Sequence, residues 1–342
     1  MVFHVYVERG TDGEQYDWEG GIGALFDAPD VEVTYPEIPG DHVGPEHLIG
    51  AHAFISRSKQ VSAESLEGVT DLQVIARAGA GYDNVDLDAL TERGIIATHA
   101  PQGPTQAVAQ ATVSLLIACA HNLKAHEVMF RDRGFEAARE AAVGFNVFGR
   151  TLGIIGFGRI GRNVADLMSA FDMEIQCFDP YADPELAAEQ GVDLVDKETL
   201  LSESDLITIH VPSTPETRGM LGIDDFRKMK ETASLVNTSR GGIYPDAELA
   251  TAIEEGEIAG AAIDVFEDEP DVAGNPLLDI EDCIMTPHIT GRTSDTRTRT
   301  GQIMAESILA VKDGEWPNNV LNPAAYDEPV PDEALSPSFQ PE

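Results

Sequence analysis

The sequence predicts an α/β protein built from two doubly wound parallel sheets, one in each of two domains. Three observations favour this fold class. Short apolar runs alternate with helical patterns along most of the 342 residues, a glycine-rich turn follows one such run near the middle, and the alternation starts long before that turn. Because parallel strands need a crossover connection, strands that alternate with helices are typical of parallel sheets. The length is enough for two domains.

The part of the chain before the glycine-rich turn predicts the first sheet. Apolar runs of strand length occur at Val5–Val7, Val31–Thr34, Ala53–Ile55, Leu72–Ala76 and Ile95–Thr98. Helical patterns lie at Ala63–Leu66 and Asp86–Arg93. A nucleotide-binding domain normally starts at its glycine-turn strand, so these earlier residues are expected to form a domain of their own.

The segment 105–121 predicts a long helix that is mostly apolar. Since its apolar residues cover several faces, we expect it to be buried all round, in part at a homodimer interface. Later strands are predicted at Leu206–Val211, Ser234–Thr238, Ile258–Val265 and Ile284–Thr286. A final helix at Ser294–Lys312 is expected to cross back onto the first domain.

The glycine-rich turn carries a dinucleotide-binding (Rossmann) fingerprint: a buried strand, three glycines spaced G-x-G-x-x-G, a helix, a second strand and an acid. The residues that carry these parts are Leu152–Ile155, Gly156, Gly158, Gly161, Val164–Met168, Ile175–Phe178 and Asp179. The glycines allow the tight turn, the approach of a diphosphate and close helix packing, and the helix N-terminus attracts the diphosphate. Asp179 is expected to accept hydrogen bonds from the adenosine ribose. The fingerprint therefore predicts NAD as cofactor, with NADP possible.

These patterns divide the chain into a substrate domain, a dinucleotide-binding domain and a tail. Residues 1–101 with 293–325 are assigned to the first, and residues 102–292 to the second. Residues 326–342 are rich in Pro, Asp and Glu, and are expected to be loosely held.

The charge of the chain is −38, from 60 acidic and 22 basic residues. Such an excess of carboxylates excludes nucleic acid and anionic membranes as partners. The acids are spread along the whole chain and lysine is scarce, which favours a halophilic protein in a cytosol of multimolar salt. There, repulsion between carboxylates is screened within about 3 Å at 1 M. The alternative is an ordinary acidic cytosolic enzyme.

Cys119, Cys177 and Cys283 lie in separate apolar runs, so they are interpreted as small buried side chains. No metal site is expected, because no ligand spacing occurs. The N-terminus has no signal pattern, and the longest apolar run is too short to cross a membrane. The chain is therefore expected to be soluble and cytoplasmic.

Three polar segments follow predicted strands and contain Arg240, Glu269 and His288. Ligands bind at the carboxyl ends of parallel strands. An arginine there can hold a carboxylate, a histidine can move a proton, and a glutamate can orient and charge that histidine. Each alone has a structural alternative, such as a surface salt bridge. A fourth segment, Arg77–Asp86, is either a plain turn or a glycine loop that offers N–H groups to an anion.

In this order, the segments resemble the D-isomer-specific 2-hydroxyacid dehydrogenase family. The resemblance covers residues 2–325 and rests on RAGAGYDNVD, GFGRIG, HVPSTPET, NTSRGG, DVFEDEP and TPHI. It implies two similar α/β domains with the active site in the cleft between them, a homodimer, and a 2-oxo acid or D-2-hydroxy acid as the small-molecule substrate.

The resemblance also implies roles for single residues. The catalytic residues are then Arg240, Glu269 and His288. Cofactor contacts are implied, besides the three glycines, for Arg159, Ile160, Asp179, His210, Val211, Pro212, Thr217, Thr238, Asp264 and His288. Substrate contacts are implied for Arg57, Ala80, Gly81, Arg240 and His288.

The reaction implied is the reversible reduction of a 2-oxo acid, with His288 as general acid and base. Gln110 stands where many members have glutamate, and Thr290–Thr293 departs from the usual run after the histidine. The substrate side chain therefore stays open. A glyoxylate/hydroxypyruvate reductase, a short phosphoglycerate dehydrogenase and an NAD-sensing binding protein of the same fold are alternatives. Glu269 argues against a formate dehydrogenase, in which a glutamine replaces it.

Overall fold

The computed structural model describes residues 2–10, 13–140, 143–326 and 329–336. The chain forms two compact units. The first contains the described residues of 1–104 and 292–342, and the second those of 105–291. The sequence places the corresponding divisions at 101/102 and 292/293.

Strands and helices alternate along both units, and every strand that the sequence predicts is present. The strands are β1 (Phe3–Val7), β2 (Val31–Thr34), β3 (Ala53–Ser56), β4 (Val74–Arg77), β5 (Ile96–His99), β6 (Thr151–Ile155), β7 (Glu174–Phe178), β8 (Val192–Leu194), β9 (Leu206–Ile209), β10 (Ser234–Asn237), β11 (Gly260–Ile263) and β12 (Cys283–Met285). The helices are α1 (Gly23–Asp27), α2 (Leu87–Thr91), α3 (Gln102–Ala120), α4 (Leu123–Arg133), α5 (Phe135–Arg139), α6 (Arg159–Ser169), α7 (Pro184–Glu189), α8 (Lys197–Glu203), α9 (Ile223–Phe226), α10 (Asp246–Glu254) and α11 (Ser294–Asp313).

The first unit holds a parallel sheet of five strands in the order β2-β1-β3-β4-β5. Apolar side chains cover both faces. Val5 of β1 belongs to a buried cluster with Ile303 and Ile308 of α11, whereas Phe54 of β3 belongs to a second cluster with Leu90 of α2. The last helix therefore returns to the first sheet, as predicted.

The second unit holds a parallel sheet of seven strands in the order β12-β11-β10-β9-β6-β7-β8. The chain adds β7 and β8 on one side of β6, and then returns to place β9 on the other side. Such a reversal of strand order opens a crevice at the carboxyl ends of the two strands, where ligands bind in open α/β sheets. The glycine turn at Gly156 follows β6 directly, so it lies at this point.

Three predicted features differ in the structure. α3 is not buried all round in the single chain, since Gln106, Gln110 and Ser114 are exposed. Residues Glu64–Leu66 form a single 3₁₀ turn instead of an α-helix, because Ser65 bonds back to Ser62 through both its N–H and its hydroxyl oxygen. The tail is not loosely held over residues 329–336. Val320 accepts the N–H of Ser336 at 2.8 Å, and the Ser336 hydroxyl lies 2.7 Å from His99 Nε2. Residues 327–328 and 337–342 of the tail lie outside the described residues.

The three cysteines are free thiols, and burial raises the pKa of each to about 12. In the described part of the chain, no three His, Cys, Asp or Glu side chains are grouped so as to hold a metal ion. None of the described helices has both the length and the apolar character needed to cross a bilayer.

Candidate active site

The glycine turn between β6 and α6 has different surroundings at each of its three glycines. Gly156 has a φ of +98°, and a Cβ there would lie 2.8 Å from the His210 carbonyl oxygen, so both conformation and space require glycine. A Cβ at Gly161 would collide with the Gly156 carbonyl, which keeps α6 close to the strand end. A Cβ at Gly158 would meet nothing within 4 Å. An anion can therefore approach the backbone at Gly158.

The N-terminus of α6 is positively charged in a chain that is otherwise strongly acidic. Arg159 is its first residue and Ile160 its second, and Arg162 follows on the next turn. Burial and the nearby charge of Arg162 lower the pKa of the Arg159 guanidinium. Among the described residues, neither arginine forms an ion pair. Free N–H groups, the helix dipole and two arginines fit the diphosphate of a dinucleotide.

Asp179 follows β7 and bonds to the glycine turn. Its Oδ2 accepts the N–H of Phe157 at 2.7 Å, and its Oδ1 accepts the N–H of Tyr181 at 2.9 Å. Each carboxylate oxygen has a second lone pair. The side chain is half-buried and can therefore accept ribose hydroxyl groups as well.

The segment after β9 lines the glycine turn. Val211 Cγ1 lies 2.8 Å from the position of a Cβ at Gly156. His210 donates its N–H to the Ile155 carbonyl at 2.7 Å, and burial lowers the pKa of its ring to about 3. The ring is therefore neutral. The Thr217 hydroxyl donates to the Pro212 carbonyl at 2.6 Å, which folds this segment into a tight loop.

Asn237, the last residue of β10, shapes the loop that carries Arg240. Its Oδ1 accepts the N–H of Ser239 at 2.9 Å, and its Nδ2 donates to the Arg240 carbonyl at 2.9 Å. The Arg240 guanidinium donates to the Ser239 carbonyl at 2.8 Å. Thr238 is buried beside α3, where its hydroxyl lies 2.8 Å from that of Thr112.

Glu269 and His288 are joined directly, although 19 residues separate them in the sequence. Glu269 Oε2 lies 2.7 Å from His288 Nδ1, and Glu269 Oε1 accepts the N–H of Phe266 at 2.8 Å. Burial opposes ionisation of Glu269, but the hydrogen bonds from His288 and Phe266 and the charges of His288 and Arg240 outweigh it. Together they hold the pKa of the Glu269 carboxyl below its ordinary value. A carboxylate therefore faces one nitrogen of the imidazole.

The other ring nitrogen of His288, Nε2, has no hydrogen-bond partner in the part of the chain that the structure describes. The side chain is 52% exposed, so this nitrogen is accessible. The His288 backbone has a φ of +52°, an uncommon conformation for a residue with a Cβ. Such strain persists where surrounding bonds impose it, often at functional sites. Here the His288 N–H donates to the Asp264 carbonyl at 2.8 Å.

Asp264 is fully buried, and its carboxylate supports the His288 loop. Four donors of the loop bond to it: the hydroxyl groups of Thr286 and Thr290 and the N–H groups of Ile289 and Thr290. A carboxylate has about four acceptor positions. The side chain of Asp264 is thus occupied within the protein, and its predicted contact with the cofactor stays a prediction.

In the first unit, Ala80 and Gly81 follow Gly79, whose φ is +109°. The carbonyl of Ala80 lies 2.8 Å from His99 Nδ1. Within the described ranges, the N–H groups of Ala80 and Gly81 have no acceptor. Consecutive unpaired N–H groups in a glycine loop suit an anion.

Arg57 follows β3 and is held by its neighbours. Its guanidinium lies 4.3 Å from the centre of the Tyr16 ring and donates to the Arg9 carbonyl at 3.1 Å. The buried carboxylate of Glu8 accepts the N–H groups of Arg57 and Ser58.

The sequence pattern does not predict the supporting roles of Asn237, Asp264 and Glu8. Each is a polar residue at or just beyond the end of a buried strand, directly before or opposite a loop of the site. That position is the only signal the sequence contains for them. Their partners, apart from those of Asn237, lie more than twenty residues away.

Comparison with known proteins identifies a family match in the second unit and similar proteins along most of the chain. Residues 113–290 match the family described as D-isomer specific 2-hydroxyacid dehydrogenase, NAD binding domain. A glyoxylate reductase of Korarchaeum cryptofilum is 40% identical over 308 residues, which cover 89% of this chain and 93% of that protein. A D-3-phosphoglycerate dehydrogenase of Archaeoglobus fulgidus is 40% identical over 271 residues, 79% of this chain and 51% of that protein.

The chain thus spans about half the length of the D-3-phosphoglycerate dehydrogenase relatives. Among solved structures, the TT0316 protein from Thermus thermophilus superimposes with a TM-score of 0.82 at 32% identity, covering 93% of this chain and 100% of that one. The apo D-lactate dehydrogenase of Escherichia coli gives a TM-score of 0.78 at 27% identity, with the same coverage.

Proposed function

The chain belongs to the D-isomer specific 2-hydroxyacid dehydrogenase family, and we propose that it interconverts a 2-oxo acid and the corresponding D-2-hydroxy acid with NAD. Its second unit is the NAD-binding domain of that family. One observation carries the proposal. The 2.7 Å bond between Glu269 and His288 lies at the same sheet edge as Arg240 and the glycine turn.

His288 is the proton donor in the direction of reduction. When bound, NADH supplies the hydride that adds to the carbonyl carbon of the substrate. Because Glu269 occupies Nδ1, Nε2 is the nitrogen that gives its proton to the carbonyl oxygen. In the reverse direction, the neutral ring takes a proton from the hydroxyl group. Glu269 stabilises the imidazolium in both directions and fixes the ring orientation.

Arg240 binds the substrate carboxylate. Its planar guanidinium can make two parallel hydrogen bonds to a carboxylate, which a lysine cannot. Support for the loop comes from Asn237, so the arginine backbone is fixed before substrate arrives. The N–H groups of Ala80 and Gly81, and the side chain of Arg57, are the further substrate contacts that we propose.

The proposed reaction covers three substrate classes: glyoxylate or hydroxypyruvate, a phosphorylated 3-carbon 2-oxo acid, and a 2-oxo acid with an apolar side chain. We propose that Arg57 decides between the first two, since a guanidinium stabilises an additional phosphate. Arg57→Ala should then raise KM for a phosphorylated substrate far more than for glyoxylate. Equal effects on KM for both substrates would show that Arg57 does not distinguish between them.

The decisive experiment is a panel of 2-oxo acids with NADH and with NADPH, followed as loss of absorbance of the reduced coenzyme in multimolar KCl. We expect turnover of at least one substrate by the wild type and a loss of about 10²–10⁴-fold in kcat for His288→Ala. Coenzyme binding without turnover of any substrate would favour the alternative, a binding protein that senses NAD.

We also propose a homodimer that uses the region of α3 to α5. Large apolar side chains are exposed there on the single chain: Leu123 and Phe130 of α4 and Phe135 of α5 are each more than half exposed, as is Phe148 in the segment between α5 and β6. Neighbouring exposed apolar side chains mark interaction surfaces.

A further inference from the structure

Two segments of the second unit carry the proposed catalytic residues, and a pair of acids joins them. The Arg240 segment runs on from the arginine to Asp246, the first residue of α10. The Glu269 segment begins at Phe266. Asp246 donates its N–H to Glu267 Oε2 at 3.2 Å, and Glu267 donates its N–H to Asp246 Oδ2 at 3.0 Å. The two residues thus exchange reciprocal bonds between backbone and side chain.

The backbones of the two segments are also in direct contact. A Cβ on Gly241, the neighbour of Arg240, would collide with the carbonyl of Phe266. The N–H of that same Phe266 donates to Glu269 Oε1 at 2.8 Å. A displacement of Phe266 therefore changes the position of Glu269, and through Glu269 that of the His288 ring.

Asp246 is better placed to hold this contact than a surface side chain. It is 3% exposed, and its Oδ2 also accepts the side-chain amide of Asn275 at 2.6 Å. Burial raises the pKa of Asp246; the N–H of Glu267 and the amide of Asn275 oppose this, and the charges of Glu267 and Asp268 add to it. A buried carboxylate beside other acids is costly. The bonds that its Oδ2 accepts from Glu267 and Asn275 offset part of this cost.

We propose that Asp246 and Glu267 act as a clamp that holds the Glu269–His288 pair at a fixed position relative to Arg240. The clamp itself touches neither substrate nor coenzyme, so its two members are positioning residues. The inference rests on the reaction proposed above. Without the clamp, the protein folds and binds NADH, but the proton donor and the carboxylate-binding arginine are no longer fixed relative to each other.

The test compares Asp246→Ala with a matched control, Asp205→Ala. Asp205 is also a buried carboxylate of this unit that accepts a backbone N–H, that of Thr151, but it lies at the amino ends of the strands. Both changes should lower the melting temperature. Only Asp246→Ala should reduce kcat, by about 10²-fold, as expected when a catalytic group is misplaced by about 1 Å. KM for NADH should stay unchanged, because the glycine turn is held by other residues.

Two readouts separate positioning from a general loss of structure. Asp246→Ala should shift the falling limb of the pH profile for reduction to lower pH, the direction also expected of Glu269→Gln, and should add little to that shift in a Glu269→Gln background. Asp246→Asn keeps an oxygen that can accept from Glu267 and Asn275, so it should restore kcat and the profile. Failure of Asp246→Asn to restore them, or equal behaviour of the two alanine variants, would overturn the clamp.

If Asp246→Ala does not fold, Glu267→Ala takes its place in the test. Glu267 is exposed, so its replacement should disturb the fold less. It should shift the profile in the same direction, whereas Asp268→Ala, which removes one charge from the same loop, should not. Should the wild type turn over no substrate, the proposed reaction fails first. The clamp is then tested by NMR titration of the His288 ring, assigned with His288→Ala: a midpoint unchanged in both Asp246→Ala and Glu267→Ala would refute it.

Discussion

Replacing Glu269 by glutamine tests the proposed proton transfer most directly. Glutamine keeps the size of the side chain and an oxygen that can accept from His288 Nδ1, but it removes the negative charge. Without that charge the imidazolium is less stable relative to the neutral ring. Reduction needs the protonated ring, so its rate falls at high pH, where the ring has lost its proton. This falling limb should therefore move to lower pH in Glu269→Gln.

The size of the shift follows from the geometry of the pair. Unit charges at the observed 2.7 Å attract by about 1.5 kcal/mol at a dielectric constant of ~80, and by about 3 kcal/mol at ~40. The side chains of His288 and Glu269 are 52% and 31% exposed, which favours the smaller value. Since one pH unit corresponds to about 1.36 kcal/mol, we expect a shift of about one pH unit in high salt.

The assay is kcat/KM for reduction against pH at constant multimolar KCl, for wild type, Glu269→Gln and Glu203→Gln. Glu203 is exposed at the end of α8, so its variant removes the same charge away from the site. In the oxidation direction the neutral ring is required, and the rising limb should move to lower pH by the same amount. If the Glu269→Gln and Glu203→Gln profiles coincide, Glu269 is not coupled to the proton donor and the assigned roles are wrong.

Four further predictions concern stability, coenzyme, assembly and substrate binding. The charge of −38 predicts a lower melting temperature and lost activity as KCl falls from multimolar to about 0.1 M, where the screening length is about 10 Å; a melting temperature that stays flat in a salt series would contradict a halophilic protein. NADH should be preferred to NADPH, because Asp179 repels a 2′-phosphate; a strong NADPH preference that survives Asp179→Ala would show that the pocket is wrongly assigned. Phe130→Asp should yield monomers in light scattering at high salt, whereas Phe26→Asp, at a side chain 55% exposed in the first unit, should not. A monomeric wild type would refute the proposed dimer. Arg240→Lys should raise KM for the 2-oxo acid by at least about tenfold, because a point charge cannot replace a planar fork; an unchanged KM would place the substrate carboxylate elsewhere.

The strands could be predicted because a buried strand has a run of apolar or small side chains in the sequence. β3, β9, β10 and β11 are buried at every residue, and their sequences are continuous apolar or small runs. β8 escapes prediction because only Val192 of its three residues is buried, as expected of a strand at the edge of a sheet. α1 is also short, with five residues and Leu25 as its single buried residue, and so has no visible helical period.

The site residues likewise fall into those that the sequence predicts and those that it does not. Arg240, Glu269 and His288 could be proposed from the sequence, since each follows a strand and has a side chain suited to one chemical task. The groups that hold them could not be proposed, because their bonds join distant positions. Asp264 bonds to Thr290, 26 residues later, and Asp246 to Glu267, 21 residues later. Apart from the position of Asp264 directly after β11, nothing local distinguishes these two carboxylates from the many acids on the surface.

In the proposed reaction this acidic chain binds an anionic coenzyme and an anionic substrate, and the arrangement of its acids is compatible with both. Asp179, Asp264 and Glu269 all lie in the site, yet each accepts N–H groups, so their charges are partly neutralised by fixed dipoles. The groups positioned to meet ligand anions are cations or N–H donors instead, namely Arg159, the N-terminus of α6 and Arg240. In multimolar salt the distant carboxylates are screened within a few ångströms, about 3 Å at 1 M, whereas groups in contact with a ligand are not. We therefore propose that these contacts decide the recognition of both anions, so that a net charge that would repel them in dilute buffer does not prevent binding.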